Sequence, residues 1–107
     1  MENELLRLCG YSPNAQSRQR VEQIRKNYSS FDDVVKALLD LEPFLRRSGF
    51  FLSLQNDFDL IQIRNDLLEE DDFIMLDSDI IVWANEHNIE LQEDMDRISI
   101  LGFRGEE

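Results

Sequence analysis

The sequence is poor in the residues that staple a fold or span a membrane. It contains one cysteine, Cys9, which excludes an internal disulfide. Cys9 follows several leucines, and in an apolar segment a thiol packs as a small hydrophobe more often than it acts as a nucleophile. No apolar run approaches the roughly eighteen residues of a membrane span, and no basic leader precedes a long apolar stretch. We therefore expect a cytoplasmic protein.

Residues that mark a reaction are equally scarce. The only histidine, His87, has no nucleophile elbow or Cys/His arrangement around it, so we interpret it as a helix-terminal residue near the negative end of a helix dipole. Trp83 lies on an apolar helix face and is assigned to the core. No glycine-rich phosphate loop is present, because the glycines are isolated, at Gly10, Gly49, Gly102 and Gly105. The sequence predicts neither an enzyme nor a bound cofactor.

Acidic charge is concentrated in one half of the chain. Residues 1–49 carry seven acidic and eight basic side chains, a balance of plus 1, whereas residues 50–107 carry sixteen acidic side chains against three arginines, a balance of minus 13. Together they give the net charge of −12. An anionic surface attracts cationic partners and repels phosphates. We therefore expect a basic protein as the partner, and neither nucleic acid nor a membrane.

The length and the apolar content predict one folded unit. A chain of 107 residues can remove roughly two-thirds of its unfolded surface from water. The apolar share of 42% is ordinary for a globular protein, so the acidity does not indicate disorder. We predict a single compact domain over residues 1–107, with residues 104–107 as a flexible tail.

Helices are predicted in the first half. A short opening helix ends at Gly10, and Ser12-Pro13 is a start signal for a second helix that runs to about Tyr28. Ser30 begins a third helix as part of a capping box, followed by a broad apolar stripe. Because Pro43 cannot donate to the carbonyl of the residue four positions earlier, we expect this third helix to stop or kink near Leu41.

The segment over residues 50–64 decides the fold class. As a helix it would line one face with Phe51, Leu54, Phe58 and Ile61. As a hairpin turning at Asn56-Asp57, it would place on one face the set Phe50, Leu52, Leu54, Ile61 and Ile63. Aromatic and β-branched residues around a turn-forming pair favour the hairpin. We therefore predict an α+β fold, with N-terminal helices packed on a small antiparallel hairpin plus a C-terminal helix; an all-α bundle is the alternative.

The last third of the chain is predicted to contain two helices and a strand. Residues 67–72 are typical of a short helix whose acids face water. Asp77 is a helix N-cap, with Leu76 and Ile81 placed for a hydrophobic staple. The buried side of that helix is predicted to comprise Ile80, Ile81, Trp83 and Ala84, and the helix fades at His87. The alternation around Ile98 and Ile100 predicts a third strand, which Gly102 and Gly105 are too flexible to extend.

The candidate binding residues are the acids of residues 66–79: Asp66, Glu69, Glu70, Asp71, Asp72, Asp77 and Asp79. Such carboxylates suit hard cations, but the spacing does not follow an EF-hand loop, because no glycine follows Asp79 and no glutamate stands at the required distance. We therefore interpret the segment as a solvated acidic face without a metal.

A basic cluster in the first half suggests a second kind of contact. It comprises Arg18, Arg20, Arg25, Lys26, Arg46 and Arg47. It lacks interleaved exposed aromatic residues and adjoins the acidic half, both unfavourable for binding nucleic acid. We expect these side chains to pair with the acidic half, either within one molecule or between subunits. The second arrangement would form a homo-oligomer.

Three functions fit these patterns. The favoured one is a small acidic cytosolic protein-binding module, an adaptor, chaperone-like factor or inhibitor, that engages a basic protein surface through residues 66–79 and the acidic C-terminal half. Apolar contacts would give affinity, while charge would steer the encounter. The alternative is an immunity protein or DNA mimic that blocks a nucleic-acid-binding protein. The second alternative is an enzyme that uses carboxylates such as Asp77 and Asp79.

Overall fold

The computed structural model describes residues 2–69 and 71–105. Helices and strands both occur in them, which confirms the α+β class and shows that the all-α alternative is wrong. In chain order the elements are α1 (Glu2–Cys9), α2 (Ala15–Arg25), α3 (Phe31–Arg47), β1 (Phe50–Ser53), β2 (Gln62–Asn65), α4 (Ser78–His87), β3 (Ile89–Asp94) and β4 (Arg97–Phe103).

The four strands form one antiparallel sheet in the order β1-β2-β4-β3. The predicted hairpin is confirmed by the pairing of β1 with β2, in which Leu52 lies opposite Ile63. The prediction of a tight turn at Asn56-Asp57 is wrong, because the connection between β1 and β2 is a longer loop over residues 54–61. Arg20 ties this loop to α2: its guanidinium donates to the carbonyls of Leu54 and Asn56, both at 2.7 Å.

The strand around Ile98 and Ile100 is confirmed as β4, but its edge neighbour β3 was not predicted. In β3 only Ile89 is fully buried and the acids are exposed, so the strand lacks a long apolar alternation. Gly102 lies inside β4, contrary to prediction, opposite Glu90, where the ladder shifts register. Its φ of +125° is allowed for glycine but strained for other residues. The conformational freedom of Gly102 therefore permits an irregularity within the strand instead of ending the strand.

One apolar cluster joins the helices to one face of the sheet. The inward-facing set of the hairpin is confirmed for Leu52, Leu54, Ile61 and Ile63, all buried. Trp83 is also in the core, as predicted, and its indole N–H donates to the carbonyl of Ala37 at 2.7 Å. The assignment of Ile81 to the buried side of α4 is wrong, since its side chain is exposed on the surface of this helix.

Several helix boundaries differ from prediction. The N-cap of α2 is Asn14 rather than Ser12, because Asn14 and Ser17 form a reciprocal capping box. Ser30 is the N-cap residue of α3, but its side chain makes no cap hydrogen bond, so the predicted capping box is wrong. The predicted stop near Leu41 is wrong too: α3 continues through Pro43. That last turn buries Phe44, a tertiary gain that opposes the proline penalty.

The connection from β2 to α4 has no helix within its described residues, so the helix predicted over residues 67–72 is wrong. The backbone makes isolated turns instead, in which Leu68 donates to Asn65 and Asp72 donates to Glu69. The N-cap assignment of Asp77 is confirmed. Leu76 and Ile81, the predicted staple pair, line one surface depression beside α4.

The chain leaves the sheet after β4. The N–H of Arg104 donates to the carbonyl of Asn88 at 2.8 Å. Of the tail predicted at residues 104–107, Glu106 and Glu107 lie outside the described residues. Among the helices that the structure describes, none combines the length and apolar content needed to cross a bilayer.

Candidate protein-binding surface

Of the described acids predicted as a binding surface, Asp79 lies in the first turn of α4 and the others lie on the connection between β2 and α4. Its beginning is held to the connection between α3 and β1 and to β2, because the N–H of Asp66 donates to the carbonyl of Gly49 and that of Leu67 to the side chain of Asn65, both at 2.9 Å. The side chain of Asp66 is exposed. The acidic segment is thereby fixed to the sheet at one end.

The central acids of this segment point into solvent. Glu69, Asp71 and Asp72 are exposed, and the carboxylate of Asp72 accepts the N–H of Glu69 at 3.1 Å. Glu70, also a predicted binding residue, lies outside the described residues. Exposed carboxylates of this kind contribute little to folding stability, so their charge is available to a partner.

The last two predicted acids have structural partners. Asp77 caps α4, because its carboxylate accepts the N–H of Asp79 at 2.9 Å. The carboxylate of Asp79 pairs with Arg47 at 3.1 Å and so links the start of α4 to the end of α3. These contacts give Asp77 and Asp79 a role in the fold.

Exposed apolar side chains accompany the acids, and the sequence reasoning missed them. Phe73 is 70% exposed, Met75 78% and Met95 65%. Between the first two, Ile74 is buried, and its N–H donates to the carbonyl of Met95 at 2.7 Å. This bond brings the β3–β4 turn beside the segment. The signal in the sequence was the apolar run 73–76 beside the acids, which we did not interpret.

Carboxylates from the hairpin of β3 and β4 complete the surface. Glu93 accepts the N–H of Leu76 at 3.2 Å, and Asp94 is exposed next to Met95. Asp96 is partly neutralised, since it pairs with Arg64 at 2.7 Å and Arg97 at 3.3 Å. We define the apolar–acidic patch as Phe73, Met75 and Met95 together with the flanking carboxylates Asp71, Asp72 and Asp94.

A second site-like feature is the groove between α3 and α4. His87 ends α4, as predicted, and its Nε2 lies 3.1 Å from the carboxylate of Asp40. The groove floor is apolar, with Leu41, Phe44 and Trp83. None of the residues that line this groove is a serine, threonine or cysteine.

The cysteine lies apart from both surfaces. Cys9 packs against the core, and burial raises the pKa of its thiol to about 12. The thiolate is the reactive form, so this environment suppresses nucleophilic chemistry at neutral pH. The sequence interpretation of Cys9 as a packed hydrophobe fits this position.

The basic cluster makes ion pairs within the molecule. Arg20 and Arg47 pair with Asp59 and Asp79 of the acidic half, while Arg46 pairs with Glu42 on its own helix. In the described part of the chain, no three Asp, Glu, His or Cys side chains are placed to share a metal ion.

Compared with known proteins, the chain matches no family model, no curated protein and no solved structure.

Proposed function

We propose that this protein is a binding module that receives a basic protein surface on the apolar–acidic patch. The observation that carries the proposal is the exposure of Phe73, Met75 and Met95, at 65–78%, beside the exposed carboxylates Asp71, Asp72 and Asp94. Exposed apolar groups rimmed by polar residues are typical of protein-interaction sites. Methionine side chains are flexible and polarisable, which suits a surface that adapts to its partner.

The two chemistries of the patch would act at different stages of binding. Carboxylates steer a cationic partner during encounter and exclude anionic competitors, whereas burial of the apolar side chains slows dissociation. The phosphate backbone that a DNA mimic imitates has no counterpart of Phe73 or of the two methionines. The patch thus favours a protein-binding adaptor, chaperone-like factor or inhibitor acting in the cytosol.

Two sets of variants test the proposal. The charge variant replaces Asp71 and Asp72 with asparagine, and it is extended to Glu69 and Glu70 with glutamine. Its matched control replaces Asp57 and Glu86, two exposed acids outside the patch, with asparagine and glutamine. The apolar variant replaces Phe73, Met75 and Met95 with serine. These apolar side chains lie outside the core, so each variant should keep the wild-type melting midpoint.

The immobilised protein is used to capture partners from native cytosol, and association is then measured with the purified partner. We expect the charge variant to associate more slowly and to show a weaker dependence of the association rate on salt between about 0.05 and 0.5 M. Over this range the electrostatic screening length shortens several-fold. The apolar variant should dissociate faster. Capture that is unchanged in both variants, or weakened equally in the control, would contradict the proposal.

A further inference from the structure

Among the described residues, one sulfur-bearing side chain packs against the core and two are exposed to solvent. The chain has one cysteine and three methionines. Cys9 is packed against the core, whereas Met75 and Met95 are among the most exposed large apolar side chains of the described residues. Met1 lies outside those residues. The two exposed thioethers lie on neighbouring segments, because the N–H of Ile74 donates to the carbonyl of Met95.

This arrangement directs an oxidant to the methionines. A thiol reacts with peroxide as its thiolate, and burial raises the pKa of Cys9 to about 12, so little thiolate is present at neutral pH. A thioether needs no deprotonation. Its sulfur donates an electron pair to one peroxide oxygen, the O–O bond breaks, and the products are methionine sulfoxide and water. The sulfur is oxidised and the peroxide is reduced.

We propose that Met75 and Met95 form a paired oxidation site, at which a peroxide converts both thioethers to sulfoxides and closes the apolar–acidic patch to its partner. The sulfoxide is polar, so it weakens an apolar contact. Neither side chain belongs to the core cluster, so the fold survives the modification. The loss of partner binding rests on the proposed function, whereas the modification and its effect on surface polarity do not.

The first experiment uses hydrogen peroxide and needs no partner. Oxidation is followed site by site by peptide mass mapping, which separates Met1 from the other two methionines. We expect Met75 and Met95 to oxidise nearly as fast in the native protein as in urea, and we expect Cys9 to stay unmodified in the native protein. Retention on a hydrophobic-interaction column should fall and the melting midpoint should not change. Methionine sulfoxide reductases should restore retention, since sulfoxide formation is reversible.

The matched variant is Met75→Leu with Met95→Leu, which keeps the patch apolar but cannot form sulfoxides. Its retention should not respond to peroxide. Slow native oxidation at both methionines, unchanged retention of the oxidised wild type, or a fall in its melting midpoint would overturn the proposal.

The second experiment separates this proposal from the proposed function. A partner captured by the reduced protein should be lost after oxidation of the wild type and retained by the oxidised leucine variant. If the oxidised wild type still binds a partner that depends on the patch, the oxidation proposal fails and the proposed function stands. If neither form captures a patch-dependent partner, the proposed function fails and closure of a binding surface fails with it, while the first experiment still decides whether the methionines are a modification site.

Discussion

The hydroxyl of Tyr28 accepts a hydrogen bond from the backbone N–H of Ile61 at 2.9 Å, and it donates to the carbonyl of Ile100. Ile61 and Ile100 follow directly on the pair of Gln62 with Ser99, which is the last pair between β2 and β4. The N–H of Ile100 donates to the carbonyl of Ile61. The tyrosine therefore bridges two backbone groups that would otherwise have to pair directly. Burial raises the pKa of this phenol, so it keeps the proton that it donates.

Tyr28→Phe should lower the free energy of unfolding by about 1–3 kcal/mol, because it leaves a buried N–H and a buried C=O without their partner. Denaturant titration measures the loss. Tyr11→Phe is the matched control, since the Tyr11 hydroxyl accepts one longer bond, at 3.4 Å, from Leu54. Equal losses in the two variants would mean that the bridge itself has no special weight.

Leu38→Ala should destabilise the protein by about 2–5 kcal/mol, because truncation of a buried leucine leaves a cavity. Leu38 is fully buried on α3. Lys36→Ala, on the exposed side of the same helix, should stay near the wild type. The melting midpoints of the three proteins provide the measurement, and a wild-type midpoint for Leu38→Ala would contradict this view of the core.

Asp77 and Asp79 should differ in their effect on stability. Asp77→Ala removes a helix N-cap and should cost about 0.5–2 kcal/mol, whereas Asp77→Asn keeps a good cap and should cost much less. Asp79→Asn breaks the pair with Arg47, in which both side chains are more than half exposed, and should cost less than about 1 kcal/mol. Thermal unfolding of the three variants tests the order; a larger loss for Asp79→Asn than for Asp77→Ala would reverse these roles.

The Cys9 thiol should react slowly with iodoacetamide in the native protein. The raised pKa means that the folded state favours the protonated thiol, so labelling should increase with pH well beyond the ordinary thiol pKa of 9.0. In urea the same reagent should label Cys9 rapidly near that ordinary value. Mass spectrometry at several pH values measures both rates, and equal native and denatured rates at pH 8 would show that the thiol is not protected.

Local patterns were enough to predict part of this molecule. The hairpin was predicted from apolar residues that alternate within each segment, which places them on one face of a sheet. Leu52 and Ile63 belong to this set and lie opposite each other. Asp77 was recognisable as a cap because a short acceptor side chain satisfies nearby N–H groups. Most acids of the candidate site were identified for a similarly simple reason, because charge adds along the chain whatever its fold.

The sequence by itself determined the buried face of the hairpin and the charge of residues 66–79, and it favoured the α+β class over an all-α bundle. Only the tertiary structure decided that α3 continues through Pro43, because Phe44 is buried by packing against other elements, including Phe50 of β1. It alone placed the turn of Met95 beside the segment of Met75, through the hydrogen bond from the N–H of Ile74 to the carbonyl of Met95. Contacts between residues far apart in sequence leave no local periodicity, so the apolar half of the candidate site arises from the folded arrangement.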